Sequence, residues 1–330
     1  MNNKNRRLWV WWLAPAALAL LAACLLFGAA GFGFPDTADP GGRLILQLRL
    51  QRVAAGFLVG AALSCAGVVF QALLRNPLAE PYVLGVSGGA AMGAALAILA
   101  GLNALSVFFL PGAAFIGALL TLGLVVRLAR DPGGGAHSVY SLILSGVIVS
   151  AIASSMLMFC ISVSSDTAMH NILWWMLGNL EAKSPALLLA AAVPVVIGFA
   201  GAWLLAGDLN ALTLGSDMAH CLGVRARFCL ALGLILATAM TAAAVSLAGL
   251  IGFVGLVVPH AARSLVGADH RRLLPVAAIG GGLLLAVCDA AARSLMETEI
   301  PVGVITAFVG GPFFLILLRS RSRRRAGWNV

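Results

Sequence analysis

The chain has 330 residues, 61% of them hydrophobic and only 10% charged, with a mean hydropathy of +1.02. A soluble domain carries roughly a quarter charged residues, so this composition excludes an ordinary water-soluble globule. The net charge of +9 does not mark a nucleic-acid surface, because the 21 Lys and Arg fall between apolar segments instead of forming one patch.

A hydrocarbon core of ~30 Å takes about 20 helical residues, so charge-free runs of that size are read as membrane spans. The first two are 8–30 and 53–74. Residues 81–126 hold no charge and are too long for one span, and Asn103 with Pro111-Gly112 predicts a turn between spans at 82–101 and 107–126. Spans at 138–161 and 184–206 follow. Residues 228–262 pose the same length problem, since one helix there would be on the order of 50 Å long. Gly249 and Gly252 are therefore predicted to reverse the chain between 228–248 and a short span at 250–265. Spans at 273–294 and 300–318 complete an all-α polytopic fold of about ten transmembrane helices, a single domain over 1–330.

An even count puts both termini on one side, and the basic clusters at the two ends agree: Lys4, Arg6 and Arg7, then Arg319, Arg321, Arg323, Arg324 and Arg325. With both ends cytoplasmic, 16 of the 21 Lys and Arg lie inside, as the positive-inside rule requires. The five outside are Arg43, Arg49, Arg52, Lys183 and Arg293, and these exceptions call for a reason.

The six cysteines show no C-x-x-C spacing and read as small core residues, with neither a disulfide framework nor a metal site. Leu21-Ala22-Ala23-Cys24 has the look of a lipoprotein cleavage box, but it serves naturally within a first helix. Gly85-Val86-Ser87-Gly88-Gly89-Ala90-Ala91-Met92-Gly93 lacks the Lys-Ser/Thr of a phosphate loop and reads as small residues that let helices approach. Nowhere does G-x-x-x-x-G-K-[ST] occur, so the chain has no ATP site of the usual kind. Gln71, Asn76, Ser145, Ser150, Ser154 and Ser155 are readable as pore-lining or as interhelical partners. Asp289 is expected to pair with Arg293, one turn later, as a structural ion pair. The five histidines are too scattered for a metal site.

Several ordered motifs carry a resemblance. Arg49-Leu50-Gln51-Arg52 is followed by Asn76-Pro77-Leu78-Ala79-Glu80-Pro81 and Leu84-Gly85-Val86-Ser87-Gly88-Gly89-Ala90. Then come Leu214-Gly215-Ser216-Asp217-Met218-Ala219-His220-Cys221-Leu222-Gly223 and Ala248-Gly249-Leu250-Ile251-Gly252-Phe253-Val254-Gly255, with Pro259-His260. Asp269-His270-Arg271, Asp289, Arg293, Glu299-Ile300-Pro301-Val302-Gly303 and Gly310-Gly311-Pro312-Phe313 follow in order. Together they resemble the permease subunits of ABC importers for iron–siderophore, haem and vitamin B12, the FecCD-type family. Gln51 departs from that pattern, which has proline there, so the local bend that aims the two arginines is expected to differ.

The resemblance implies a homodimer in the bacterial inner membrane, with two separate ATP-binding subunits beneath and a periplasmic or lipid-anchored substrate-binding protein above. It implies a metal-chelate substrate, an iron–siderophore first and vitamin B12 or haem as the alternative; an ATP-independent carrier or channel is the reading from a different class. No cofactor, nucleic acid or catalysis by this chain is expected. By the same resemblance Arg49, Arg52 and Arg293 receive acidic residues of the binding protein, and Asn76 and Leu78 belong to a cytoplasmic gate. Residues 207–227, with Leu214, Gly215, Ala219 and Gly223, resemble the segment that couples to each ATPase. Ala219-x3-Gly223 predicts a short helix, a glycine bend and a second short helix.

Overall fold

The computed structural model describes residues 15–28, 33–130, 139–181, 183–296 and 298–326. Its helices are α1 (Pro15–Cys24), α2 (Pro40–Leu73), α3 (Val86–Leu99), α4 (Phe109–Leu128), α5 (Val139–Ser162), α6 (Asp166–Met176) and α7 (Pro185–Leu204). They continue with α8 (Ala206–Thr213), α9 (Ser216–Cys221), α10 (Ala226–Ala248), α11 (Val254–Val266), α12 (His270–Ser294) and α13 (Val302–Ala326). Six of them, α2, α4, α5, α7, α10 and α12, are long and apolar enough to cross a membrane. Four shorter apolar helices lie at α1, α3, α11 and the Val302–Ile316 part of α13. The basic N-terminal cluster at Lys4, Arg6 and Arg7 lies outside the described residues.

α2 is the axis of the fold. In its most apolar stretch 78% of the residues are buried, against 28%, 28% and 22% in α4, α5 and α7, whose outer faces show leucine, isoleucine and phenylalanine to the surroundings. α12, α10 and α11 pack around α2, while α3 pairs with α4. Small residues permit both contacts. A methyl on Gly89 would overlap the carbonyl of Gly117 and the hydroxyl of Thr121, so the glycine-rich run at the start of α3 is a packing face.

Two expectations need correction. The second span is not 53–74 but part of a 34-residue helix that starts at Pro40. Proline suits that first turn, because its missing N–H has no partner in a helix start anyway, and Gln51 supplies the backbone N–H that proline would lack, so α2 runs unbroken through Arg49 and Arg52. Between the expected spans at 138–161 and 184–206 the chain forms a further helix: Ser165 accepts from the Ala168 N–H and caps α6, whose Ile172 is buried. The reversal between α10 and α11 uses Gly249, at φ 73°, but its second special residue is Phe253, at φ 69°, instead of Gly252.

The glycine motifs far apart in sequence converge on the loop after α6. A methyl on Gly249 would strike the Trp175 carbonyl, and one on Gly303 the Leu177 carbonyl, while the Asn179 N–H donates to the Ala248 carbonyl at 2.8 Å. The non-helical backbone there is enclosed by protein, the condition under which such backbone is tolerated at membrane depth.

Candidate functional sites

At the expected outer end, α2 and α12 bring together four charged side chains. Arg49 and Arg52, three residues apart, share a face of α2. Arg52 Nε donates to Asp289 Oδ1 at 2.8 Å, and its Nη1 lies 3.0 and 2.8 Å from the two oxygens of Glu299. Arg293 Nε stands 3.0 Å from Asp289 Oδ2. Its Nη1 donates to the Phe27 carbonyl at 3.0 Å, and Arg49 Nη1 donates to the carbonyls of Leu25 and Gly33, both at 2.8 Å. Arg49, Arg52 and Arg293 are only 7%, 9% and 3% exposed, and Asp289 is fully buried. Three basic residues expected to face outward are thus drawn inward by carboxylates and by main-chain carbonyls of the segment that follows α1. A buried carboxylate with two guanidinium partners keeps its charge compensated, and removing one partner from such a pair typically costs about 3–5 kcal/mol. Lys183 stands in the loop before α7, where desolvation lowers its pKa below the usual lysine value, opposed by Glu181 and reinforced by Arg52.

At the other end of α2 the chain turns sharply. Arg75 takes φ 46°, Asn76 Oδ1 accepts the Leu78 N–H at 2.9 Å, and the Asn76 carbonyl accepts Ala79 N–H at 3.0 Å. Asn76 therefore shapes the turn through its own side chain, and Leu78 projects partly exposed from it. Beyond the turn, Glu80 Oε1 accepts the Phe253 N–H at 2.9 Å, and the Tyr82 hydroxyl donates to the Ile251 carbonyl at 2.9 Å while accepting its N–H at 3.1 Å. The loop after α2 thus supplies the partners that the unwound segment between α10 and α11 lacks. Gln71 is an interhelical partner, its Oε1 accepting from Arg263 on α11 at 3.0 Å.

The third site is the segment after α7. α8 leaves the span directly, Gly215 at φ 117° separates it from α9, and Gly223 at φ 78° ends α9. The Gly223 N–H donates to the His220 carbonyl and the Val224 N–H to the Ala219 carbonyl, both at 2.9 Å, which is a Schellman close. The expected glycine bend between two short helices is therefore at Gly215, while Gly223 closes α9 and joins it to the long α10. Ala219 is buried, while Met218 and Leu222 stand four apart along α9 at 53% and 60% exposure, and Leu214, before the break at Gly215, is 64% exposed. The base of the segment is tied to α12: Asn210 Nδ2 donates to Asp269 Oδ1 at 2.9 Å, its Oδ1 accepts the His270 N–H at 3.0 Å, and Trp203 Nε1 donates to the Arg271 carbonyl at 3.2 Å. Asp269 has its pKa held below the usual carboxylate value, first by Asn210 and then by the Arg271 N–H.

The profile of the FecCD transport family matches residues 10–320. The chain belongs to the FecCD transport family. FecCD relatives include the cobalamin import system permease protein BtuC of Halobacterium salinarum, 43% identical over 89% of this chain and 77% of that protein. The hemin transport system permease protein HmuU of Yersinia pestis is 36% identical over 94% of this chain and 96% of its own length. A solved structure described as an inward-facing conformation of a metal-chelate type ABC transporter superposes with a TM-score of 0.86 at 31% identity, covering 94% of this chain and 98% of that one. The chain is therefore a multi-pass membrane protein, an ABC importer permease and a transport component.

Within the FecCD motifs, sequence reasoning placed Arg49, Arg52 and Arg293 close to one another and paired Arg293 with Asp289, as the structure does, but missed the hold of Asp289 and Glu299 on Arg52 and the carbonyls that take Arg49. Glu80, Tyr82, Asn210 and Glu299 had no assigned part. Glu80 carried a usable signal, an acidic residue between two prolines facing a charge-free stretch. Asn210 carried none, since its partners lie 59 and 60 residues away.

Proposed function

We propose that this chain is the homodimer-forming permease of a binding-protein-dependent importer in the bacterial inner membrane, moving a metal chelate inward by alternating access driven by two separate ATPase subunits. The observation that carries this reading is the exposure of Met218 and Leu222 along α9 and of Leu214 just before it. In a FecCD member these three large apolar side chains stand clear of the protein beside the exposed Arg225 and Arg227. That is the composition of a protein contact, and it supports an ATPase groove as what covers them. An ATP-independent carrier or channel has no use for such a face.

In this reading both termini are cytoplasmic, ten helices span the membrane, and Asn76 and Leu78 form part of the cytoplasmic gate. The outer cluster of Arg49, Arg52 and Arg293 receives acidic residues of the binding protein. Direct contact falls mainly to Arg52, since Arg49 and Arg293 are turned onto main-chain carbonyls. For the cargo, relatives named for cobalamin and for hemin favour a metal tetrapyrrole over an iron–siderophore.

The test is reconstitution with the partner ATPase and binding protein. Ligand-stimulated ATP hydrolysis and uptake by the full complex, with neither from the permease alone, are expected; uptake by the isolated chain would establish the carrier instead. Mass spectrometry of the ligand retained by the binding protein is expected to show a cobalt or iron tetrapyrrole, and a hydroxamate or catecholate chelate would restore the siderophore reading.

A further inference from the structure

The two arms of Arg52 differ in what they hold. Nε is fixed on Asp289, which is fully buried on α12, so that arm is anchored. Nη1 points the other way, to Glu299, whose side chain is 39% exposed and sits in the non-helical stretch before α13. Within the contact cluster two guanidinium groups, Arg52 and Arg293, meet two carboxylates, Asp289 and Glu299. Among these four groups formal charge is balanced, and Arg49, turned onto the carbonyls of Leu25 and Gly33, supplies the remaining positive charge of the outer cluster.

We infer that Glu299 is an internal stand-in for the acidic side chain of the binding protein: it occupies the outer arm of Arg52 while nothing is docked, and an incoming carboxylate displaces it. This deepens, and rests on, the docking of an acidic lobe at Arg52. The exchange replaces carboxylate by carboxylate, so Arg52 is never left as an unpaired buried charge, which is the costly alternative. Glu299 leaves from an exposed position into water, and an ion pair open to water on one side is weak. Asp289 stays in place and keeps the guanidinium aimed outward. Glu299 therefore lowers the apparent affinity of docking and keeps the outer arm of Arg52 paired between docking events.

The experiment measures binding of the purified binding protein whose addition stimulates ATP hydrolysis, using the permease–ATPase complex in nanodiscs at fixed ionic strength. Glu299→Gln is expected to tighten docking by about 2- to 5-fold, the range a water-exposed pair supplies. Glu181→Gln, which removes an exposed acid from the same side without touching Arg52, is expected to change it less. Arg52→Lys keeps a cation for Asp289 but removes the second arm; it should weaken docking and abolish the response to Glu299→Gln, with thermal melting confirming that each variant is folded. If Glu299→Gln weakens or leaves docking unchanged while Arg52→Lys weakens it, Glu299 merely braces Arg52, and the inference falls with the docking reading intact. Equal tightening by Glu181→Gln would reduce the effect to long-range charge and also overturn it. If Arg52→Lys docks like the parent protein, the docking reading itself is lost.

Discussion

Gly60 on α2 and Gly281 on α12 face each other so closely that a methyl group on either would overlap the other's carbonyl oxygen. The two helices carry the outer ion cluster at one end and, through Asp269 and Asn210, the base of the α8–α9 segment at the other. Their contact therefore sets the spacing on which both sites depend. Gly281→Val is expected to force α2 and α12 apart and to destabilise the protein by about 1–3 kcal/mol, the usual cost of overpacking. Thermal melting of the detergent-solubilised protein reads this directly. Gly311, around which the same methyl meets nothing, serves as the control, and Gly311→Ala should melt like the parent.

Glu80 accepts the N–H of Phe253, a residue held at φ 69°. Glu80→Ala leaves that enclosed N–H without its acceptor, at a cost of about 1–3 kcal/mol. Glu80→Gln keeps an oxygen in reach and should restore most of the lost stability. Equal melting temperatures for Glu80→Ala and the parent would show that the bond between the two unwound segments contributes nothing.

Gly223 lies at φ 78° with open space where a Cβ would go. The penalty of Gly223→Val is therefore backbone strain, about 1–2 kcal/mol for a non-glycine left-handed residue, and no clash. The altered close of α9 is expected to lower ligand-stimulated ATP hydrolysis by the assembled importer. Gly223→Asn, which tolerates this region better, should be milder. Indistinguishable stimulated hydrolysis in all three proteins would remove α9 from coupling.

Cys221 on α9 is exposed, whereas Cys24, Cys65, Cys160, Cys229 and Cys288 are buried. In intact cells a membrane-permeant maleimide should label the protein at Cys221, and an impermeant one should not until the membrane is opened. Labelling by the impermeant reagent in sealed cells would place α9 outside and reverse the topology.

Asp269 caps α12 by accepting the Arg271 N–H at 3.1 Å, and it also holds Asn210. Its folded pKa is depressed, so its contribution is fully present above the unfolded value near 3.8 and is lost as pH falls through the lower folded value. Asp269→Ala should cost about 1 kcal/mol at neutral pH, as the loss of a helix cap does. The difference from the parent should shrink toward acid, which melting curves between neutral pH and about pH 3 would reveal; a gap that persists undiminished at acid pH would assign the cost to packing.

Apolar content, charge-free runs and the distribution of Lys and Arg placed this chain in a membrane, and ordered motifs gave its family, because a bilayer imposes a length and a composition that one dimension records. Arg49 and Arg52 were visible as exceptions in the same way: two charges near the mouth of an apolar run. What one dimension does not record is who answers them. The Arg52–Asp289 and Arg52–Glu299 pairs join residues 237 and 247 positions apart. Whether an arginine at the mouth of a helix faces water or is drawn inward depends on which carboxylates and main-chain carbonyls the folded chain brings alongside. The same holds for Glu80 and Phe253, since a backbone N–H freed where α10 unwinds finds its acceptor only when the loop after α2 folds back against it. Sequence determined which segments must be buried in lipid and how many charges had to be explained; only the tertiary packing of α2 against α12 and α11 decided which of those charges are braced, because desolvated charges and freed backbone groups are satisfied by neighbours in space.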